Sequence, residues 1–424
     1  MSAEAEIRRR IRQKGAITFA EFMEVALFWP QGGYYLGPER VGPSGDYYTS
    51  PIAHPAFGAL LAVQLCQMWS LLGRPSPFTV VELGAGSGGL CRDLVAYADH
   101  LGAEFAHSLR YICLERRAAA GMERDLHSDV VAPAVARIAA AGVPLRGIRG
   151  CFLSNEFLDS FPVHRVTLCQ GRLREVYVTL RGEELMEILG EPSTPALMAR
   201  LEGLVIELAE GQAAEINLGL EGWAEEAGAA LVAGFVLTID YGHPAAELYS
   251  LARRPRGALT TFYRHVQTDA PLRRIGRQDI TAQVDFTSVA NAGRRVGLEL
   301  LGYTSQRQFL RNLGLEEWQR RLSSLGLPQR ETQANRTGML DLARPGGLGD
   351  FKVVAQGKKV GQAKLWGFDP SEEASASVAG LPVPLLAGHH LRLLEGRYPQ
   401  AGLEFELEGR RLFEEETPSE GDGR

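Results

Sequence analysis

The 424-residue sequence lacks the features that would place it in several large classes of protein. Its five cysteines, Cys66, Cys91, Cys113, Cys151 and Cys169, are scattered, and none stands in a CxxC pair. That spacing argues against a zinc site or a disulfide framework and fits a reducing compartment. No apolar run reaches the roughly 20 residues that a bilayer-spanning helix needs. Residues 1–15 mix Glu4 and Glu6 with Arg8, Arg9 and Arg10, which is neither a signal core nor the acid-poor pattern of a transit peptide. A cytoplasmic location is the expectation. A strong charge of one sign is also missing: 45 basic side chains stand against 51 acidic ones, a net charge of −6, which disfavours general binding to nucleic acid. Two local clusters, Arg253, Arg254 and Arg256 and then Arg273, Arg274 and Arg277, read most simply as solvated loop charge. No Ser-His-Asp arrangement or metal-ligand spacing is visible, and His389–His390 has no acid or thiol beside it.

What is present is ample core material, with 45% of residues hydrophobic and 23% charged. Residues 7–28 predict a helix ending at Pro30, followed by turns at Gly32-Gly-Tyr-Tyr35 and Gly45–Pro51 and a second helix over 55–72. From Phe78 a strand, a glycine turn, a helix through Ala98, a strand over 109–115, a helical 116–138 and a strand over 150–154 follow in turn. That alternation predicts an α/β fold with a mostly parallel, doubly wound sheet. Residues 163–178 predict one or two strands with a turn at Gln170-Gly171. Stretches 183–208 and 215–233 read as helices, and 235–239 and 351–355 as strands. The expected organisation is an N-terminal helical and loop segment (1–75) that completes a cofactor pocket, a Rossmann-like domain (76–357) with a substrate-side insertion (about 163–235), and a C-terminal extension (358–424), partly disordered.

The chemistry gathers first at Glu82-Leu-Gly-Ala-Gly-Ser-Gly88, between a strand and a helix. Glycines there permit positive φ and let backbone amides approach a ligand, and the helix start can hold an anion. Gly84, Gly86 and Gly89 also satisfy GxGxxG, so either the carboxylate of S-adenosylmethionine or a dinucleotide pyrophosphate would suit. Glu82, two positions before the first glycine, leans toward the methyl donor. Glu115, closing the next strand, suits two ribose hydroxyls in either ligand.

Several ordered segments together resemble the MidA family of class I S-adenosylmethionine-dependent methyltransferases. They are Pro30-Gln-Gly-Gly-Tyr-Tyr35, Gly45-Asp-Tyr-Tyr-Thr-Ser-Pro51, Val81-Glu-Leu-Gly-Ala-Gly86, Ser154-Asn-Glu-Phe-Leu-Asp159 with Pro162-Val-His164, Ile239-Asp-Tyr-Gly-His243, Asp279-Ile-Thr-Ala-Gln-Val-Asp-Phe286 and Phe351-Lys-Val353. The resemblance implies a Rossmann-like class I fold, S-adenosylmethionine as cofactor, and transfer to an arginine of a protein partner resembling a respiratory complex I subunit. It implies cofactor contacts from Glu82, Gly84, Gly86 and Glu115, with the Tyr48-Thr49-Ser50 loop folded over the donor. The sequence departs from the family at Ile52, Thr260 and Gln283, which bears on acceptor choice and on whether turnover is retained.

A protonated guanidinium must be oriented by carboxylates before its nitrogen can attack a methyl group. Glu156 and Asp159, just past one strand end, and Asp240, past another, are the catalytic candidates; Asn155 is a cofactor-binding candidate. Each carboxylate has a structural alternative, because strand-end acids often cap a following helix. His164, His243 and His265 lie near these motifs, and packing is the simpler reading of each. Tyr34-Tyr35 and Tyr47-Tyr48 suit loop packing or a cation contact. Two other readings stay open at this stage: a donor-binding assembly scaffold with little turnover, and a nicotinamide-dependent oxidoreductase.

Overall fold

Ser2 caps the first helix, α1 (Ala3–Lys14), by accepting from the Ala5 amide at 3.2 Å, and Gly15 closes it at φ +82°. This computed structural model describes residues 1–37, 48–116, 134–264, 266–369, 371–388 and 390. A short strand, β1 (Ala16–Thr18), follows, and Thr18 caps α2 (Phe19–Phe28). The helix expected over 7–28 is therefore two helices, because Gly15 stops the first and β-branched Ile17 and Thr18 extend onto a sheet. After α3 (Ser50–Ala53), helix α4 (Ala56–Leu71) is buried along most of its length.

The central alternation comes next: β2 (Phe78–Leu83), α5 (Gly89–Ala98), α6 (Ala103–Ser108), β3 (Leu109–Glu115), β4 (Ala134–Ala139) and β5 (Ile148–Asn155). An insertion of β6 (His164–Cys169), β7 (Arg172–Arg181), β8 (Glu184–Gly190), α7 (Ala196–Gly203) and β9 (Ala213–Ile216) interrupts it. Helix α8 (Leu220–Ala230) returns the chain to β10 (Leu231–Asp240), then β11 (Gly242–His243) and α9 (Ala245–Leu248). A small sheet of β12 (Leu259–Tyr263), β13 (Val266–Thr268) and β14 (Asp279–Ala282) precedes β15 (Val284–Asp285). The chain continues through α10 (Phe286–Arg295), β16 (Glu299–Ser305), α11 (Gln306–Asn312), α12 (Leu315–Leu322), α13 (Gln329–Leu342), β17 (Lys352–Lys358) and α14 (Glu372–Ala379).

The main sheet has the order β16-β17-β10-β5-β2-β3-β4. Strands β10, β5, β2, β3 and β4 are parallel, and β17 runs antiparallel between β10 and β16. Strand β2 is buried at all six positions, as an interior parallel strand covered on both faces must be. One face packs against α4, α5 and α11–α13 through Phe57, Leu61, Leu94, Phe309 and Trp318. The other packs against α8 and α10 through Trp223, Ala227 and Val289. The expected doubly wound α/β architecture is present.

Three expected helices fold differently. Strand β4 occupies the end of the stretch 116–138, and residues 117–133 lie outside the described set. Strand β8 replaces the start of 183–208 because pairing along β7 overrides the helix propensity of Leu185, Met186 and Leu189. Stretch 215–233 splits into β9, α8 and the start of β10. The N-terminal segment is not a body apart: β1 pairs with β7, so its edge belongs to the inserted sheet β1-β7-β6-β9. Beyond β17, Leu365, Val378 and Val383 are buried in the same core as α4 and α5.

Candidate functional site

Leu83 stands opposite Ser154 in the register of β2 and β5. The glycine loop after β2 and Asn155–Glu156 after β5 therefore leave the sheet side by side. Strand order reverses between them, and open α/β sheets hold ligands in the crevice at that point.

On the β2 side, Gly84, Gly86 and Gly88 have φ of +69°, +52° and +78°. A Cβ on Gly84 would lie 2.7 Å from the Phe157 ring, whereas one on Gly86 would meet nothing within 4 Å. Gly84 thus makes room for an aromatic neighbour, and Gly86 faces open space. The Gly86 amide donates to the Glu115 carboxylate at the end of β3. Burial raises the pKa of Glu115, opposed by the amides of Gly86 and Arg116. Glu82 is only 3% exposed and accepts from the Tyr111 hydroxyl at 2.9 Å. Burial, with Cys113 next in effect, holds its carboxyl well above the usual range, and Glu82 lies beneath the loop, hydrogen-bonded to Tyr111.

On the β5 side, Glu156 takes φ +53°, an uncommon backbone for a non-glycine residue, and its amide donates to the Ile239 carbonyl at 2.9 Å. Its carboxylate accepts from Asn155 Nδ2 at 3.0 Å and from the Ser50 amide, and it keeps partial exposure although protein crowds it closely. The Ser50 hydroxyl donates to Gln306 Oε1 at 3.1 Å, which ties α3 to α11 above the crevice. Asp240 is fully buried; its Oδ2 accepts from the amides of Phe157 at 3.0 Å and Leu158 at 2.8 Å, and its Oδ1 from that of Tyr241 at 2.9 Å. It caps the turn at 158–160. Asp159 is 7% exposed, and its Oδ1 has no hydrogen-bond partner among the described residues. Asp279, at the start of β14, accepts from the Tyr35 hydroxyl at 2.8 Å.

These four acids share one pit. Burial, then the Asp240 charge, pushes the pKa of Glu156 up to about 8. Burial raises Asp240 to about 7 against the pull of its amide donors. Asp159 is held well above its ordinary range by burial, then by Asp240, Asp279 and Glu156. Like charges brought together out of water favour protonation or a cation.

Glu156, Asp159, Asp240 and Asn155 thus come together, and Gly84, Gly86 and Glu115 gather at the adjoining strand end. In the loop 48–50, Ser50 touches the pit, while Tyr48 packs against the main core and Thr49 is buried. His164 is engaged by Glu175 at 2.7 Å on the inserted sheet, and His243 by Glu247 at 3.3 Å. His265 and Tyr47 lie outside the described residues. Two residues carried no sequence-level role. Asp279 stood in a quoted motif without an assigned function. Arg137, on β4, reaches the Ser87 carbonyl of the glycine loop at 3.4 Å, and its alanine-rich surroundings masked it as helical.

Comparison with known proteins bears on this crevice. Residues 60–304 match a family model of S-adenosyl-L-methionine-dependent methyltransferases. A mitochondrial protein arginine methyltransferase, NDUFAF7 of Rattus norvegicus, is 30% identical over 337 residues, covering 72% of this chain and 73% of the relative. The Drosophila melanogaster homolog is 28% identical and covers 84% of both chains. A crystal structure of a COG1565 superfamily member from Burkholderia thailandensis, bound to S-adenosyl-homocysteine, superposes with a TM-score of 0.76 at 28% identity, covering 86% of this chain and 94% of that one.

Proposed function

The chain belongs to the MidA family of S-adenosyl-L-methionine-dependent methyltransferases, and from that premise we propose that it methylates an arginine side chain of a protein substrate in the four-carboxylate pit. The pit carries the reading. With a neutral acceptor the clustered carboxyls of Glu156, Asp159, Asp240 and Asp279 are relieved only by taking up protons, whereas a guanidinium is always cationic and offers five donors in a planar fork. The names of the mitochondrial relatives, which are arginine methyltransferases, support the same acceptor.

The residues present fit the donor. The three positive-φ glycines are tied down, Gly84 N–H to the Leu114 carbonyl, Gly86 N–H to Glu115 and Gly88 N–H to the Ala85 carbonyl, and what they offer a donor is room: a Cβ on Gly86 would meet nothing within 4 Å, and Glu115 stands beside it at the next strand end. Bound there, S-adenosylmethionine supplies an electrophilic methyl group. Asn155, between the two halves, holds Glu156 through its amide nitrogen and has a buried, unpartnered Oδ1 for a ligand. Glu82 acts from below, supporting the loop. Glu156, part-exposed, grips the guanidinium, with Ser50 and Asn155 fixing its carboxylate. Asp240 acts through the turn it caps, setting Asp159 beside Glu156. In its ionised form, which the bound guanidinium favours, Asp159 takes the proton that leaves the methylated nitrogen. Segment 3–28 and the inserted sheet form the substrate-side module, joined through β1 and β7. A protein partner such as a respiratory complex subunit would be the substrate.

Labelled-methyl transfer to protein arginine, read by mass spectrometry, tests this. Glu156→Gln is expected to lower turnover about 100-fold or more while donor affinity by calorimetry stays unchanged. Label on lysine or on a small molecule, or full turnover by Glu156→Gln, would overturn the reading.

A further inference from the structure

The arginine cluster 273–277 leads directly into β14, whose first residue is Asp279 of the pit. Arg277 is two residues before Asp279, so their Cα atoms lie no more than about 7 Å apart, and Tyr263 follows Phe262, the register partner of Asp279. Arg264, Arg273, Arg274 and Arg277 are all exposed, and Asp269 is the sole acid between 264 and 278. Arg273, Arg274 and Arg277 form no ion pair among the described residues, unlike Arg253, which pairs with Glu247 at 2.9 Å. The guanidinium of Arg274 lies 4.6 Å from the centre of the Tyr263 ring, and that of Arg264 lies 5.3 Å from the same ring. Arg264 takes φ +48° in the two-residue turn that joins β12 to β13, and Arg274 takes φ +52° in a turn closed by the Arg277 amide on its carbonyl at 2.7 Å. Two turns thus bring their cations to one ring, that of Tyr263.

Resting on the arginine reading above, we infer that this rim selects arginines set among acidic residues, with Arg273, Arg274 and Arg277 as specificity-determining residues for the flanking carboxylates. The site is then charged in two zones. Buried carboxylates accept the guanidinium at the bottom, and an arginine rim accepts the acids on either side of it. The two zones enforce each other. A peptide rich in lysine and arginine would be drawn to the pit yet repelled at the rim, so the acidic well alone does not make every basic segment a substrate. A long arginine side chain keeps its own backbone at rim height, where residues one to three places away meet the cluster.

Three synthetic peptides test the inference on the full-length protein with S-adenosylmethionine. Each holds a single arginine, flanked by glutamates, by glutamines or by lysines. The glutamate peptide is expected to show a kcat/KM roughly tenfold above the glutamine peptide at low salt, shrinking as salt is raised. The variant Arg273→Glu/Arg274→Glu/Arg277→Glu, checked for an unchanged circular dichroism spectrum and donor affinity, is expected to favour the lysine peptide. Equal rates for the glutamate and glutamine peptides, or an unchanged ranking in the folded variant, overturn this inference alone. Label on no peptide, with donor bound, overturns the arginine reading and this inference with it. A variant that misfolds is replaced by the single change Arg277→Gln, for which a two- to threefold loss confined to the glutamate peptide is the supporting result and no loss the opposing one.

Discussion

Glu156 concentrates the chemistry in one carboxyl. Its pKa of about 8 means that the ionised form, the one able to hold a guanidinium, becomes dominant only above that pH. The kcat/KM for an arginine acceptor is therefore expected to climb with pH and level off above about 8, and Glu156→Gln is expected to remove the climb along with most of the rate. The same shift has a consequence for stability. Between its ordinary 4.5 and about 8, the folded state holds a proton that the unfolded chain has released. The ligand-free protein therefore loses stability as pH rises through that window, and Glu156→Gln makes the loss shallower by its own share, leaving that of Asp240 and Asp159. Thermal unfolding from pH 5 to pH 8 measures it; a wild-type Tm that rises across that interval speaks against the pit as described. A second contrast lies in the glycine loop. Gly84→Ala combines a left-handed φ with a collision against Phe157 and is expected to cost about 2 kcal/mol or more and to lose donor binding. Gly86→Ala meets only the backbone penalty, about 1 kcal/mol, and its larger effect is expected on donor affinity by calorimetry.

At the scale of elements, the site depends on one strand end stabilising the turn that follows another. Asp240 belongs to β10, yet its carboxylate holds the amides after β5, so the capping alternative foreseen for strand-end acids applies across two strands. Asp240→Ala leaves those buried amides unpaired and is expected to cost about 1–3 kcal/mol by denaturant unfolding, together with most of the turnover. Asp240→Asn, which keeps an acceptor, is expected to recover more stability than activity. Sequence patterns exposed the parts of this arrangement that depend on short-range order. The run Phe78–Leu83, its glycines, and the acids after Ser154 and Ile239 are all local signals, and periodicity located their strands. Patterns failed where a distant partner decides. Strands β4 and β8 carry alanine, leucine and glutamate suited to helices, and only β3 and β7 beside them make them strands. Arg137 was hidden for that reason. Asp279 joins the pit through a long-range approach of β14 that no spacing in the chain announces.

The molecule as a whole closes its main core with chain that follows the last strand. Gln64 and Gln67 on α4 accept from the amides of Gly367 and Trp366, both at 2.9 Å, and Tyr97 on α5 donates to the Pro382 carbonyl at 2.6 Å. Leu365, Val378 and Val383 are buried in the same core as α4 and α5, with Val378 set against Gly314 at the start of α12. Fully burying such side chains contributes roughly 1.5–3 kcal/mol each, so three of them rival the whole stability of an ordinary domain, about 5–15 kcal/mol. The segment after β17 is thus part of the fold that holds the donor crevice, although its sequence pattern is weak. Ending the chain at Lys358 is expected to expose α4 and α5 and to yield protein that aggregates or fails to bind S-adenosyl-homocysteine. The milder double change Leu365→Ala/Val378→Ala is expected to lose about 4–8 kcal/mol if both cavities stay open, and to lower Tm with the acceptor pit intact. Because this change removes core packing and none of the pit's carboxyls, arginine methylation measured well below the new Tm is expected to stay near the wild-type rate. A variant that keeps its Tm but loses turnover would mean that the segment acts on the site itself rather than on the core beneath it.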